Sequence, residues 1–335
     1  MDLTTQYLGL TLRNPFVLGA SPLTHDLDRL KQIVDAGASA VVMHSLFEEQ
    51  LRPADASGEA YLAQDDSKTS VIPDSMRPSQ PSDYIAPNEY LQQLTRIKEL
   101  VRVPVIASLN GATNEGWLRY AQNLEDAGAD AVELNVYHLT LDPEENAAMI
   151  EQQLLEMVTT VAQALSIPVA VKLSPSYAGL PNLCRRLTHV GARGLTLFNR
   201  YYEPDIDVLT GTLEPKLELS TSSELTMRLR WLAALSPNVS ASLAVSGGVH
   251  TGLDAMKGIL AGANAVQLVS AVLLKGPSVF STMQQELSEW LTKLAYPNLA
   301  RATGAMNLAR CPDPSFYRRG NYLKVLQSHP RRSAR

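Results

Sequence analysis

Cysteine is scarce in this chain: among 335 residues only Cys184 and Cys311 carry thiols, and no CxxC pair brings two together. Neither a disulfide framework, a zinc knuckle nor a resident iron–sulfur cluster is indicated, no metal is expected, and a reducing compartment fits. Long apolar runs are missing too. None reaches the roughly 18 residues of a membrane span, and the opening MDLTTQYLGL lacks the basic stretch and apolar core of an export signal. A cytoplasmic protein that does not engage membranes is the expectation. With a net charge of −5, nothing suggests a nucleic-acid surface. The basic ending His329–Arg335 holds too few clustered cations for an anchor and reads as a frayed tail.

What is present is an ordinary globular balance, 45% apolar and 19% charged. The length suits one α/β barrel of about 250 residues with insertions. Short β-branched runs alternate with amphipathic stretches, the pattern of βα units on a parallel sheet. The predicted strands are Phe16–Ala20, Ala40–His44, Val105–Leu109, Ala131–Tyr137, Val169–Leu173, Gly194–Phe198, Leu243–Ser246 and Ala265–Val269, with helices such as Asn114–Ala127 and Pro143–Leu165 between them. An Ala-Gly-Ala triplet at 36–38 and 127–129, and the related Val-Gly-Ala at 190–192 and Ala-Gly-Ala at 261–263, each close a helix and open a strand. Glycine there can end the helix in the left-handed region, and the alanine after it can pack where helix meets sheet. The expected fold is therefore a single (β/α)8 TIM barrel over residues 1–300, with 301–335 as an extension packed on it or trailing from it. Two long loops follow the second and sixth strands, Arg52–Pro87 and Tyr201–Ser220, and each reads either as a wall of the site or as a surface loop.

Chemistry is expected at the carboxyl ends of the strands. Ser246-Gly247-Gly248 ends the seventh strand and Ser270-Ala271 begins the helix after the eighth, so backbone N–H groups from both loops form a phosphate cup. Ser21, His44, Ser45, Asn110, Asn135, Lys172 and Asn199 close apolar strands and converge on the same mouth. Any one of these asparagines alone would be a turn former. An ammonium at Lys172 calls for an anionic partner, and a reduced flavin ring would be one. Glu133, inside an apolar strand, is expected to face Lys172 across the barrel. His25, His189 and His250 read as surface turns or helix ends, Cys184 as buried, and Trp117, Trp231 and Trp290 as packing between helix and barrel.

These residues resemble the class 1 dihydroorotate dehydrogenases, in the order Asn14-Pro-Phe-Val-Leu-Gly-Ala-Ser, Glu133-Leu-Asn135, Val171-Lys172-Leu173, Ser246-Gly247-Gly248 and Gly276-Pro277. The ending Pro314–Ser328 looks more like the branch termed dihydroorotate dehydrogenase-like. The resemblance implies FMN, with Ala20 and Ser21 near the isoalloxazine, Ser45, Asn110 and Asn135 on its polar edge, Lys172 near N1, and Gly247, Gly248, Ser270 and Ala271 at the phosphate. His44, Asn135 and Asn199 would face the substrate. It also implies oxidation of a CH–CH group, dihydroorotate to orotate in pyrimidine biosynthesis, with hydride passing to flavin N5, an electron acceptor outside the chain, and a homodimer.

The departures lie on the substrate side. His138 stands where the family places a catalytic cysteine; its imidazole suits a base at neutral pH, and the other reading is a histidine that only hydrogen-bonds the rim. His44 replaces a lysine, Asp74–Pro81 replaces the loop that holds the orotate carboxylate, and Thr140 replaces a substrate-binding asparagine. A different small substrate, an inactive flavin-binding barrel acting through a protein partner, and a phosphate-sugar lyase or isomerase on the same fold all stay open.

Overall fold

In the computed structural model of the chain, residues 1–47, 87–110, 114–136, 142–201, 203–318 and 321–328 are described. All eight predicted strands form, and they close into a parallel barrel. An antiparallel hairpin of β1 (Thr5–Tyr7) and β2 (Leu10–Leu12) comes first. The barrel then takes β3 (Phe16–Leu18), β4 (Ala40–Phe47), β5 (Val105–Asn110), β6 (Ala131–Asn135), β7 (Val169–Leu173) and β8 (Gly194–Leu197). After a second hairpin, β9 (Pro204–Asp207) and β10 (Thr212–Pro215), it is completed by β11 (Ser242–Ser246) and β12 (Ala265–Leu268), which pairs back onto β3. Around it lie α1 (Leu27–Asp35), α2 (Pro87–Leu100), α3 (Asn114–Asp126), α4 (Ala147–Ala164), α5 (Leu180–His189), α6 (Leu225–Leu235), α7 (Gly252–Ala261), α8 (Ser270–Lys275) and α9 (Val279–Lys293). The short α10 (Leu299–Ala302) and α11 (Asn321–Gln327) follow.

The strands are near-continuous apolar runs because both of their faces are covered. One core fills the space between strands and helices, and a separate one occupies the barrel interior. Small residues line much of that interior, among them Ala40, Ala131, Ala170, Ala244 and Ala265, and the room they leave is filled from below by Tyr7, Leu8 and Leu12 of the first hairpin. A Cβ on Gly194 would stand 2.3 Å from Leu8 Cδ2, so β8 needs glycine where the plug enters. This closes the amino-terminal end of the barrel and leaves the other end for chemistry.

The repeated glycines behave as expected: Gly37, Gly128, Gly191 and Gly262 have φ of +120°, +93°, +114° and +126°, and the alanine after each is buried. Two expectations change. The helix predicted from Pro143 starts at Ala147, because Asn146 accepts the Met149 N–H at 3.1 Å and caps it, while Pro143 sits in the turn before. The stretch Tyr201–Ser220 is not a plain loop, since it folds into the β9–β10 hairpin. Tyr201–Ser220 aside, the other long stretch, Arg52–Pro87, lies outside the described residues up to the start of α2. The chain beyond α10 binds back onto the barrel: the N–H groups of Gly304, Met306 and Leu308 donate to Ile259 O, Leu260 O and Ala233 O at 2.9, 2.8 and 2.9 Å.

Candidate active site

On one side of the mouth, β4 shifts register between Val42 and Ser45, a bulge of the kind that re-aims side chains at barrel rims. It sets Ser45 opposite Ser108, with the hydroxyls 2.7 Å apart, and Asn135 Nδ2 donates to Ser45 Oγ at 2.9 Å. The other amide atom, Asn135 Oδ1, is buried and has no hydrogen-bond partner among the described residues. Lys172 is its register neighbour on β7. The Lys172 Nζ lies 3.8 Å from Glu133 Oε1, so the two face each other as expected, but between the neighbouring strands β6 and β7 rather than across the barrel. The Glu133 Oε2 accepts from Thr196 Oγ1 at 2.9 Å and Gln267 Nε2 at 2.6 Å, and Tyr7 OH sits 3.2 Å from Thr196 Oγ1. A polar column thus runs from the plug to the mouth. Burial, reinforced by the Glu133 charge, pushes the Tyr7 phenol well above its ordinary range.

His44 sits beside this column. Its backbone N–H donates to Thr24 Oγ1 at 3.0 Å, its Nδ1 lies 3.1 Å from the same oxygen, and its ring meets those of His25 and Tyr90 with centroids 4.0 and 4.8 Å away. Since the Thr24 hydroxyl donates to Ser21 O at 3.2 Å, the inferred tautomer carries its proton on Nδ1. Burial, with His25 as a second cause, drives its pKa down to about 3, so the ring is neutral at physiological pH. Ser21 is buried with its hydroxyl on Gly19 O at 3.2 Å, and Ala20 beside it is partly buried. Asn110 is buried at the end of β5. Asn199 directs its Nδ2 to Val136 O at 2.7 Å and Lys172 O at 3.2 Å, bracing the ends of β6 and β7. His138, Thr140 and Asp74–Pro81 lie outside the described residues.

The other side of the mouth is the glycine loop. Gly247 and Gly248 have φ of +81° and +80°, left-handed in succession. A Cβ on Gly248 would lie 2.6 Å from Leu225 N and 2.9 Å from Leu225 Cα, and one on Gly247 would lie 2.7 Å from the Arg228 guanidinium. Glycine is required here by the start of α6 pressing on the loop from behind. Arg228, itself buried, holds that contact by donating from Nε to Ser246 O at 2.5 Å and from a terminal nitrogen to Glu224 O at 2.8 Å. The Gly248 N–H donates to Ser220 Oγ at 3.2 Å, and the Ser220 N–H donates to Ser270 Oγ at 3.1 Å, so the loops after β11 and β12 are tied together. His250 was expected at the surface. It is instead buried, its Nε2 lying 3.2 Å from Ser220 Oγ, and burial, then the Lys275 charge, lowers its pKa. His189, by contrast, is exposed at the end of α5.

Arg228, Ser220, Thr196 and Gln267 were not singled out by sequence. Arg228 did leave a trace, since with Leu225, Leu232 and Leu235 it falls on the buried stripe of α6, where a cation demands a partner. Thr196 and Gln267 are likewise lone polar residues within apolar strands. Cys184 is buried and its thiol pushed up to about 12 by burial, which leaves it inert. Among the described residues no group of His, Cys, Asp or Glu could hold a metal ion, and no helix is long and apolar enough to cross a membrane. A cavity of about 720 Å³ opens at the opposite, plugged end, lined by Gln6, Leu8, Arg193, Ser242 and Asn264 among others. It contains none of the converging strand-end groups, so the mouth is the candidate site.

A family model described as dihydroorotate dehydrogenase matches residues 2–291. The catalytic subunit of dihydroorotate dehydrogenase B (NAD(+)) from Methanothermobacter thermautotrophicus is 25% identical over 309 residues, covering 90% of this chain and 97% of that protein. Its namesake from Methanosarcina mazei is 29% identical over 306 residues, 88% and 92% of the two chains. A protein of Aeropyrum pernix provisionally named dihydroorotate dehydrogenase A (fumarate) is 31% identical over 230 residues, 64% of this chain and 72% of its own.

Proposed function

Because the chain belongs to the dihydroorotate dehydrogenase family, we propose that the mouth of its barrel binds FMN and a small substrate, and that it works as an oxidoreductase on CH–CH groups. The observation that carries this reading is a pair of buried polar groups aimed at one place: Asn135 Oδ1, with no partner among the described residues, and the Lys172 ammonium beside it. A buried acceptor left bare is costly. An acceptor and a cation side by side fit the polar edge of a flavin ring, and the left-handed Gly247-Gly248 loop joined to the start of α8 fits its phosphate. In this assignment Ala20 and Ser21 lie by the ring, Ser45, Asn110, Asn135 and Lys172 hold its polar edge, and Gly247, Gly248, Ser270 and Ala271 hold the phosphate.

A bound FMN would supply a hydride acceptor at N5, with negative charge developing near N1. Lys172, steadied from below by Glu133, sets a cation where that charge develops. His138 takes the substrate proton, and His44, Asn135 and Asn199 face the substrate. Dihydroorotate is the first substrate to test. A second reading, a different small substrate, is favoured by one observation: His44 is neutral and bonded to Thr24, so it offers no fixed cation to a carboxylate where the family carries lysine. The assembly is a homodimer.

The test is the visible spectrum of the purified protein, with the released cofactor identified, followed by anaerobic dihydroorotate. A yellow protein holding FMN that bleaches with dihydroorotate supports the full reading. Bleaching by other reduced substrates alone supports the second, and a flavoprotein that no reductant of this class bleaches is an inert barrel. A colourless protein that takes up no FMN sinks the proposal.

A further inference from the structure

Behind the glycine loop lies a buried charge with no close counter-ion. Arg228 is only 4% exposed. Its Nε and Nη1 donate to the Ser246 and Glu224 carbonyls, which hold the side chain in place but are neutral. Nη2 donates no hydrogen bond among the described residues, and lies 3.8 Å from Glu224 Oε2. That carboxylate is committed elsewhere: Arg200 Nη1 donates to its two oxygens at 2.8 and 2.7 Å, and the Thr221 N–H donates to Oε1 at 3.2 Å. Two guanidinium groups therefore share Glu224, and the buried one has the more distant share. Burial lowers the Arg228 pKa, with the Glu224 charge opposing the fall and the Arg200 charge adding to it. A cation held out of water in this way gains from any anion brought near it.

Nη2 is also the Arg228 atom that comes nearest the loop. A Cβ on Gly247 would lie 2.7 Å from it, against 3.2 Å from Cζ and 3.3 Å from Nε. The other charges beside the loop are differently placed. Asp254 accepts from Ser222 Oγ and the His250 N–H at 2.7 and 3.1 Å and faces Lys257 at 3.9 Å, while Lys275, exposed to solvent, donates to His250 O at 2.7 Å. We propose that Arg228 is the counter-charge of the flavin phosphate, acting through the Gly247 loop rather than by contact, and that it makes the site prefer a phosphorylated flavin to riboflavin. The inference rests on the FMN binding proposed above, and adds a fixed charge to a cup otherwise built from backbone donors. Backbone N–H groups orient a phosphate but also accept the hydroxyl of riboflavin as a partner. A buried cation discriminates by charge, and solvent screens it far less than it screens a surface lysine. Arg228 is thus a positioning residue for the loop and the source of its charge preference.

The full chain, stripped of flavin, is titrated with FMN and with riboflavin and followed by the quenching of flavin fluorescence. Arg228→Gln removes the buried cation, Arg228→Lys keeps one, and Glu224→Gln removes the carboxylate that offsets it while keeping the side chain's shape. The ratio of the riboflavin to the FMN dissociation constant should fall about 10-fold in Arg228→Gln, stay within about threefold of wild type in Arg228→Lys, and rise about 10-fold in Glu224→Gln. A loop that is merely damaged can only lose its preference for FMN. The rise in Glu224→Gln therefore separates charge from scaffolding, and it stays readable if Arg228→Gln does not fold. An unchanged ratio in Glu224→Gln overturns the proposal, and a fall in all three variants overturns it too, making Arg228 a prop for the loop. A wild type that binds FMN and riboflavin equally well overturns the charge preference while leaving a flavin site standing, whereas one that binds neither overturns the FMN reading itself.

Discussion

Around Gly247 and Gly248 the polar groups are bonded to one another and to the helices behind: Ser246 O to Arg228, Gly248 N–H to Ser220, Ser220 to Ser270 and His250. Across the mouth the situation is reversed, with Asn135 Oδ1 unpartnered among the described residues, Glu133 Oε1 facing Lys172 at 3.8 Å, and His44 held neutral by burial. The first region is built by mutual constraint and tolerates little change. The second, under the proposed function, holds groups that meet a cofactor and substrate from outside the chain.

The contrast can be broken from the open side first. If His138 is the base, His138→Ala should lower the rate of flavin reduction by roughly 10²- to 10⁴-fold and leave FMN bound. Stopped-flow reduction from pH 5 to 9, alongside His138→Cys, checks this; a wild-type profile matching the alanine variant at every pH removes His138 from the chemistry. On the constrained side, Gly248→Ala should reduce the unfolding free energy by about 3 kcal/mol, combining a left-handed non-glycine residue with a clash against the Leu225 backbone. Urea denaturation within about 0.5 kcal/mol of wild type would mean that the loop yields, and the contrast with it.

Lys172→Ala comes next. It should slow flavin reduction by about 10²-fold while changing FMN affinity by less than about tenfold, because the cation matters most once the ring is reduced. Since it also strands the Glu133 carboxylate, stability should drop, and adding Glu133→Gln should restore part of it. Stability losses that simply add would show that the two groups are not coupled, and unchanged reduction kinetics would make Lys172 structural.

Much of this was readable in the chain. Apolar strands covered on both faces, and glycines forced into positive φ at helix ends, are local features, so the eight strands and the four repeats stand where the residues put them. What was missed depends on contacts distant in sequence. Tyr7, Leu8 and Leu12 carry no local pattern of their own, and only the alanine-lined interior of five other strands makes them a plug. His250 comes just after Gly247-Gly248-Val249 like a turn residue, yet it is buried, with Ser220 of another loop 3.2 Å from its ring. The glycines at 247 and 248 were expected to admit a phosphate; what the structure sets against them is the Arg228 guanidinium and the Leu225 backbone, which no local pattern reveals.

The smallest effect separates the two regions by pH. His44 has a folded pKa near 3, well below the ordinary imidazole value of about 6.5. Below that ordinary value the unfolded chain binds a proton at His44 that the folded protein refuses, so stability is full above about pH 6.5 and is lost as the pH falls below it. The slope contributed by one such group approaches about 1.4 kcal/mol per pH unit. Replacing His44 with Gln keeps an amide able to reach Thr24 and removes the proton, so the variant should lose less stability than wild type between pH 6.5 and 5, by about 1 kcal/mol. His250, whose pKa is also lowered, is present in both proteins and cancels from the difference. Urea midpoints at the two pH values make the measurement. Parallel losses in wild type and His44→Gln would mean that His44 meets solvent as it protonates, and that this side of the mouth is no more closed to a proton than the surface around it.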